Sequence, residues 1–502
     1  MKWHLLVNKH PRRHQNQFGG KIMKKRSSYI VNETLQFSVF TESQCQEIHD
    51  ATLEVMAGVG AVFHDEDAIA LLKKAGAFVD GNRVRFPASL VEWAIRTSPS
   101  RIVLCDRNGG RKVFLEDHKT YFGPGPTNTY TLDPLTGEKR FPRISDTLRA
   151  SKVIDALPNI DFQMDLGTPR DVPTEVADVY LLEAMLTNST KPIVHWGYSA
   201  KNYQTMVDMC VAIAGSLQDL QSNPFICLYS EPSSPFVHSP EAIQKAMFMA
   251  RNNLPCIYTP APSCGGTAPV TLAGNIVVSN AECLAGLVVC QLVREGAPFI
   301  MGGVPSILDM RSMILSYGAP EFDLLHAGFT DMAHYYKIPM FSTAGCTDSK
   351  AVDEQAAIEA TSSIMVAALS GANLIHDCGY MEYGATSSLE LLVMDDEIIG
   401  HVRRVVEGIK VDEETLAIDV IKAVGPGAQF LTHTHTYEHF RKETWMPSLI
   451  NRQRYDHWLE DGSPTLRQRV NAKVREIIDD HEPEKLAPDV QARIRGIVES
   501  VA

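Results

Sequence analysis

Five short stretches in the middle of the chain share one pattern: Pro192-Ile-Val-His, Pro224-Phe-Ile-Cys, Pro255-Cys-Ile-Tyr, Pro298-Phe-Ile-Met and Pro339-Met-Phe-Ser. Each opens with proline, continues as a β-prone apolar run and ends at a Gly-, Pro- or Ser-rich break. The copies lie 32, 31, 43 and 41 residues apart, and helix-patterned segments fill the gaps. Proline has no N–H to give a β-ladder, so a strand tolerates it at the first residue and rarely inside. Regular strand–helix alternation of this kind predicts βα units around a parallel sheet. The chemistry of such sheets gathers at the C-terminal strand ends.

The series extends in both directions. Phe162-Gln-Met-Asp-Leu-Gly precedes it, and Asn373-Leu-Ile-His-Asp-Cys-Gly and Gln429-Phe-Leu-Thr-His follow. Eight strands between 162 and 434 predict an α/β fold, a (β/α)8 TIM barrel over residues 161–437. A doubly wound open sheet is the alternative, but the Gly-rich fingerprint expected after its first strand is missing. Residues 27–160 read as an α+β extension packed on the barrel. Thr41-Glu-Ser-Gln starts a helix there, and hairpins are expected around Arg107-Asn-Gly-Gly and Pro134-Leu-Thr-Gly. Residues 438–502 read as C-terminal helices completing the barrel. Residues 1–26 carry eight Lys or Arg and no acid; a basic disordered tail, or a start placed ahead of a true one at Met23, accounts for them.

The net charge of −13 argues against a nucleic-acid partner, whose phosphates demand a basic surface. No run approaches the roughly 18 consecutive apolar residues of a membrane span. The ten cysteines include no C-x-x-C pair, which suits reduced thiols and a cytoplasmic setting.

The expected strand ends are rich in aromatic and polar residues. Trp196, Tyr229, Tyr258 and Tyr380 form a candidate cage for a quaternary ammonium group, whose charge has no N–H and is stabilised by ring faces; packing of loops is the other reading. Arg311 is a candidate carboxylate clamp, unless it pairs internally with Asp309. Lys350 and His376 are further candidates for a substrate carboxylate. Asp348, Gln355 and Glu231 add a polar cluster, and Lys350 with Asp353 and Glu354 would share a helix face that could equally be a solvated helix start. His433-x-His435 invites a zinc reading on the last strand, against hydrogen-bonded histidines without metal. No nucleophile elbow, P-loop or kinase motif is present.

Several segments together resemble the trimethylamine methyltransferase family, which moves a methyl group from a methylated amine to a corrinoid protein. They are Ile48-His-Asp-Ala-Thr-Leu-Glu-Val, Val84-Arg-Phe-Pro, Ser98-Pro-Ser-Arg, Tyr121-Phe-Gly-Pro-Gly, Gly302-Gly-Val-Pro, Asp309-Met-Arg, Tyr317-Gly-Ala-Pro-Glu, Gly345-Cys-Thr-Asp-Ser-Lys and His433-Thr-His-Thr followed by His439-Phe-Arg. The resemblance runs from about residue 35 to 480. Members acting on trimethylamine carry pyrrolysine, expected here around Phe341–Gly345, whereas this chain has standard residues throughout. It therefore resembles the non-pyrrolysine branch, which demethylates quaternary amines such as glycine betaine, proline betaine, carnitine or butyrobetaine.

That resemblance implies a small-molecule quaternary amine as substrate, a corrinoid protein as partner, cobalamin supplied by that partner, no tightly bound cofactor or metal, and self-association into a homo-oligomer. Two rivals remain: a zinc-dependent barrel hydrolase using His433 and His435, and a non-catalytic barrel that binds a quaternary ammonium or docks the corrinoid protein.

Overall fold

The computed structural model describes residues 35–501; the basic segment 1–26 lies outside them. All five proline-led stretches are strands of one parallel sheet. In chain order the sheet comprises β1 (Tyr121–Pro124), β2 (Ile193–His195), β3 (Ile226–Ser230), β4 (Cys256–Tyr258), β5 (Phe299–Gly302), β6 (Met340–Thr343) and β7 (Leu374–Cys378). Its spatial order is β1-β7-β6-β5-β4-β3-β2, with every pairing parallel. The prolines earn their position through their carbonyls. Pro255, Pro298 and Pro339 accept from Leu228, Cys256 and Met301 of the neighbouring strand at 2.8–3.3 Å. A proline at the strand start thus loses only a donor that the ladder does not need.

The segment 161–166 lies between the two edges of this sheet. Asp161 donates to Phe122 of β1 at 2.7 Å, and Leu166 to Gly125 just past it at 3.0 Å. Gln163 donates to Pro192 at 2.9 Å and accepts from Val194 of β2 at 3.0 Å.

One expected strand is wrong. Residues 429–433 form an exposed turn, and His433 caps the helix Thr434–Glu443. Their place beside β7 is taken by β1, which lies ahead of the expected barrel boundary at 161. Both anticipated hairpins are present: Ile102–Cys105 with Arg111–Leu115, and Tyr130–Leu132 with Lys139–Arg140.

The sheet separates two apolar cores. Alternate side chains of each strand face opposite ways. Val194, Cys227, Ile257, Ile300, Phe341 and Leu374 point inward. Ile102, Leu104, Val113 and Leu115 of the first hairpin join that inner cluster. This hairpin lies at the N-terminal strand ends, where Cys105 donates to Pro224 at 2.7 Å, and it covers that end of the sheet's inner face. The outer core lies between the sheet and its helices.

One of its helices, Leu272–Val293, is the one helix among the described residues long and apolar enough to cross a membrane; 83% of its most apolar window is buried in protein. It is apolar all round because helices Glu42–Gly58 and Ala88–Thr97 cover it in addition to the barrel's own helices. Asn280 ties the layers together, donating to Thr52 at 3.0 Å and to Tyr336 at 2.7 Å.

One acid anchors residues 448–450. Glu397, on the helix Leu389–Val406, accepts from the backbone N–H groups of Ser448, Leu449 and Ile450 at 2.9–3.0 Å. Burial alone would raise its pKa, but these donors and the Ser448 hydroxyl hold it below the usual carboxylate value. The stabilisation is therefore present above the unfolded pKa and is lost as pH falls through the folded one. Glu397→Gln is expected to weaken this anchorage by about 1.5–3 kcal/mol, read as faster proteolysis near residues 446–450, with the wild type becoming equally sensitive in acid.

Candidate active site

The C-terminal ends of β2, β3, β6, β7 and the segment 161–166 converge on one cavity, lined by aromatic rings and carboxylates. Trp196 and Tyr229 carry the inward parity of β2 and β3 to the mouth, and both are buried. Tyr198 stands edge-on to Trp196, with centroids 4.8 Å apart, and is 38% exposed at the opening. Phe341 of β6 stacks on His376 of β7 at 4.0 Å and faces Tyr229 at 6.4 Å. Tyr380 completes the ring. Its hydroxyl donates to the carbonyl of Pro126, and its ring lies against Gly125, where a β-carbon would stand 2.3 Å from it. Gly125 is required here by close approach.

Three acids share this space. Asp165 accepts from the backbone N–H of Thr127 at 2.8 Å, from Gly167 at 3.2 Å and from the Trp196 indole N–H. Burial nonetheless pushes its pKa up to about 7. His195 lies beside it, with Nδ1 3.6 Å from the carboxylate. Burial lowers this histidine to about 4, so it is neutral, and Nε2–H donates to the carbonyl of Asp178 at 2.8 Å. Nδ1 then points a lone pair toward Asp165 and has no hydrogen-bond partner.

Asp377 repeats the arrangement on β7. His376 is likewise held to about 4 by burial, donates from Nδ1 to the carbonyl of Ser342 at 2.8 Å, and places Nε2 3.3 Å from Asp377 Oδ1. The Asp377 carboxyl is raised well above its ordinary value, by burial and then by the charge of Glu231. Its backbone φ is +76°, a left-handed conformation uncommon for a non-glycine residue. Glu231, just past β3, is accessible to solvent yet ringed by protein. Burial raises its pKa and the nearby Lys245 lowers it. Among the described residues, none of the three carboxylates forms an ion pair with lysine or arginine.

A family model described as trimethylamine methyltransferase matches residues 8–500. The chain belongs to the trimethylamine methyltransferase family. It is 32% identical over 462 residues to a trimethylamine methyltransferase of Desulfitobacterium hafniense, covering 92% of this chain and 93% of that one. It is 29% identical over 465 residues to a glycine betaine methyltransferase from another strain of that species, covering 92% and 97%. The crystal structure of the Methanosarcina barkeri monomethylamine methyltransferase aligns over 89% of this chain and 88% of that one, with 12% identity and a TM-score of 0.48.

In this methyltransferase the structure brings Trp196, Tyr229, Tyr380, His376 and Glu231 together, and sends other expected residues elsewhere. Tyr258 points outward from β4. Its hydroxyl donates to His238 Nδ1 at 2.6 Å, and its ring fills the space that a side chain at Gly286 would occupy. The inward residue of that strand is Ile257. Arg311 is exposed at a hairpin turn, where only its backbone N–H meets Asp309, at 2.7 Å. Lys350 is exposed and donates to the carbonyl of Asp348 at 2.7 Å. Gln355 is exposed and donates to Glu359 at 2.9 Å. Asp348 is half-buried and accepts from the Tyr317 N–H at 2.9 Å, bracing the rim. The helix Glu354–Ser370 starts only at Glu354, with Asp353 as its N-cap, so Lys350 shares no face with them.

His433 and His435 lie away from the mouth. His433 Nδ1 accepts from the backbone of His435 at 3.1 Å, and His435 stacks on His439 at 4.1 Å. No group of three or more His, Cys, Asp or Glu among the described residues has metal-holding geometry.

Sequence reasoning passed over Asp165 and Phe341 as site residues. The alternation in Met340-Phe-Ser-Thr carries the signal for Phe341, whereas Asp165 is out of phase with the inward-facing Phe162 and Met164, so alternation alone points it away from the interior. The Trp196 indole donates directly to Asp165, so tryptophan emission is expected to titrate with a midpoint near pH 7. Asp165→Asn should abolish that titration.

Proposed function

We propose that this cavity binds a quaternary amine and presents one of its N-methyl groups to the corrinoid of a partner protein. The grouping of Asp165, Glu231 and Asp377 with Trp196, Tyr229, Phe341 and Tyr380, unpaired with any described lysine or arginine, carries this reading. A quaternary ammonium has no N–H to donate. It is held by ring faces and by the field of nearby carboxylates rather than by directed hydrogen bonds. Of the residues expected for a substrate carboxylate, only His376 borders the cavity.

We further propose that residues 161–166 close the sheet as its eighth strand, so that the cavity is the mouth of a complete barrel. The unpartnered Asp377 Oδ1 and His195 Nδ1 suit a cationic guest that takes no hydrogen bond. The reduced corrinoid, carried by the partner, supplies the nucleophile that takes the methyl group. The leaving group is a neutral tertiary amine and needs no protonation, which agrees with His195 and His376 being neutral. This chain's work is to orient the methyl toward the opening and to exclude water. Phe341, at the start of the stretch where trimethylamine-specific members are expected to carry pyrrolysine, presents only a ring face.

The deciding experiment is anaerobic incubation with the reduced corrinoid protein and a panel of quaternary amines, following the corrinoid absorbance. Methylation with one of them establishes the reading; none with any overturns it in favour of a binding protein. Trp196→Leu and Tyr229→Leu are each expected to raise KM about tenfold, since one cation–π contact in a desolvated site contributes up to about 2 kcal/mol. Tyr258→Phe should leave KM unchanged while costing about 1–3 kcal/mol of stability through the unpaired His238. Affinity for the cation should rise with pH through about 7 as Asp165 loses its proton, and Asp165→Asn should flatten that rise.

A further inference from the structure

The turn that follows β2 is gripped at one peptide unit. Its residues Trp196 and Tyr198 carry the two rings that meet edge-on near the opening, with Gly197 between them. In a trans peptide the carbonyl and the N–H point in opposite directions. Lys245, on the helix Pro240–Arg251, donates to the Gly197 carbonyl at 2.9 Å. Asp178, on the helix Ala177–Asn188, accepts from the Tyr198 N–H at 2.8 Å. Two side chains of opposite charge, from two different helices, thus hold the two ends of the Gly197–Tyr198 peptide.

The grip is braced from behind by the helix Ala200–Ala214. Asn202 donates to both Asp178 carboxylate oxygens at 2.9 Å. The Tyr203 ring lies against Gly197, where a β-carbon would stand 2.7 Å from the ring and 3.1 Å from Asp178 Oδ2. The Lys245 ammonium stands 5.8 Å from the centre of the same ring. The Tyr203 hydroxyl donates to the Tyr229 carbonyl, so one tyrosine links the turn after β2 to the aromatic residue of β3.

Asp178 is fully buried and Lys245 partly so. Burial raises the Asp178 pKa and lowers that of Lys245, the direction that penalises each charged form. Neither forms an ion pair among the described residues. Buried charge is costly unless it is paired or hydrogen-bonded, and here both groups are hydrogen-bonded to the same peptide. A peptide unit carries a dipole of about 3.5 D. Its carbonyl end meets the ammonium and its N–H end the carboxylate. Flipping the peptide would turn the carbonyl toward Asp178 and the N–H toward Lys245, so the two charges oppose the backbone rotation that would reorient both rings. We propose that Asp178 and Lys245 are positioning residues for methyl transfer, a charged clamp that fixes the Trp196 and Tyr198 rings and with them the direction in which an N-methyl group faces the opening. This deepens the proposed function and rests on its placing of the amine against Trp196.

Fluorine NMR of the full chain labelled with 5-fluorotryptophan reads the ring's orientation without substrate, the Trp196 line being identified by its loss in Trp196→Phe. The wild type is expected to give one sharp Trp196 line. Lys245→Met removes the donor at similar volume and should broaden or split that line, whereas Lys245→Arg keeps a donor and should restore it. Asp178→Asn, which removes the charge at the other end, should broaden it too. The second readout uses the reduced corrinoid protein and the amine that the wild type demethylates. Ring faces attract a cation over a wide range of angles but methyl transfer needs alignment, so Lys245→Met should lower kcat about tenfold or more while KM changes less than about threefold. Lys245→Arg should recover most of that loss. An unchanged Trp196 line in both Lys245→Met and Asp178→Asn overturns the proposal, as does a rise in KM with kcat unchanged. If the wild type demethylates no quaternary amine, the proposed function fails, and the Trp196 line still decides whether the clamp holds the ring.

Discussion

A parallel strand buried on both faces has no spare side: every residue belongs either to the barrel interior or to the helical layer. The candidate site depends on that constraint. Val194 and Trp196, or Cys227 and Tyr229, are pairs two residues apart on one face. The deeper member fills the inner core, and the outer one reaches the cavity. The same rule sends Tyr258 to the helices, because Ile257 already claims the interior on β4. Phase along the strand, more than residue type, decides which aromatic rings meet.

The chemistry of the cavity follows from placing acids where water is scarce. A buried carboxylate without a cation partner resists ionisation, and Asp165 and Asp377 both do so beside histidines too buried to accept the proton. The protein thereby keeps potential negative charge in reserve. On the proposed function, a permanently charged guest would favour the ionised acids, coupling binding to proton release. Recognition of that kind would be sensitive to pH even though the guest itself cannot titrate.

Much of the fold was legible because proline marks strand starts by a mechanism that operates in sequence and structure alike. All five proline-led strands stand where that mechanism puts them. The eighth position was misread because Gln429-Phe-Leu-Thr-His has strand-like composition, whereas the true neighbour of β7, Tyr121-Phe-Gly-Pro, has a glycine and a terminal proline. Gly123 is needed because a β-carbon there would stand 2.5 Å from the Phe162 ring, a packing fact that composition does not reveal. At the site, Trp196, Tyr229 and Tyr380 could be anticipated from their place at strand ends. Arg311 and Lys350 could not be dismissed, since the loops carrying them turn outward and no local pattern records that turn. Asp165 was hidden because its role rests on contacts from Thr127 and Trp196, 38 and 31 residues away.

The hairpin Ile102–Leu115 has a consequence for the sequence of events in catalysis. If residues 161–166 close the sheet as proposed, stoppering one end makes the cavity a cup with a single rim. On the proposed function, substrate and corrinoid would share that opening, and a docked partner would cover it. The amine would then have to be seated before the partner arrives, and the demethylated product would wait until the partner leaves. A compulsory order of binding and release would thus follow from a plug of four apolar side chains at the end of the sheet away from the proposed site.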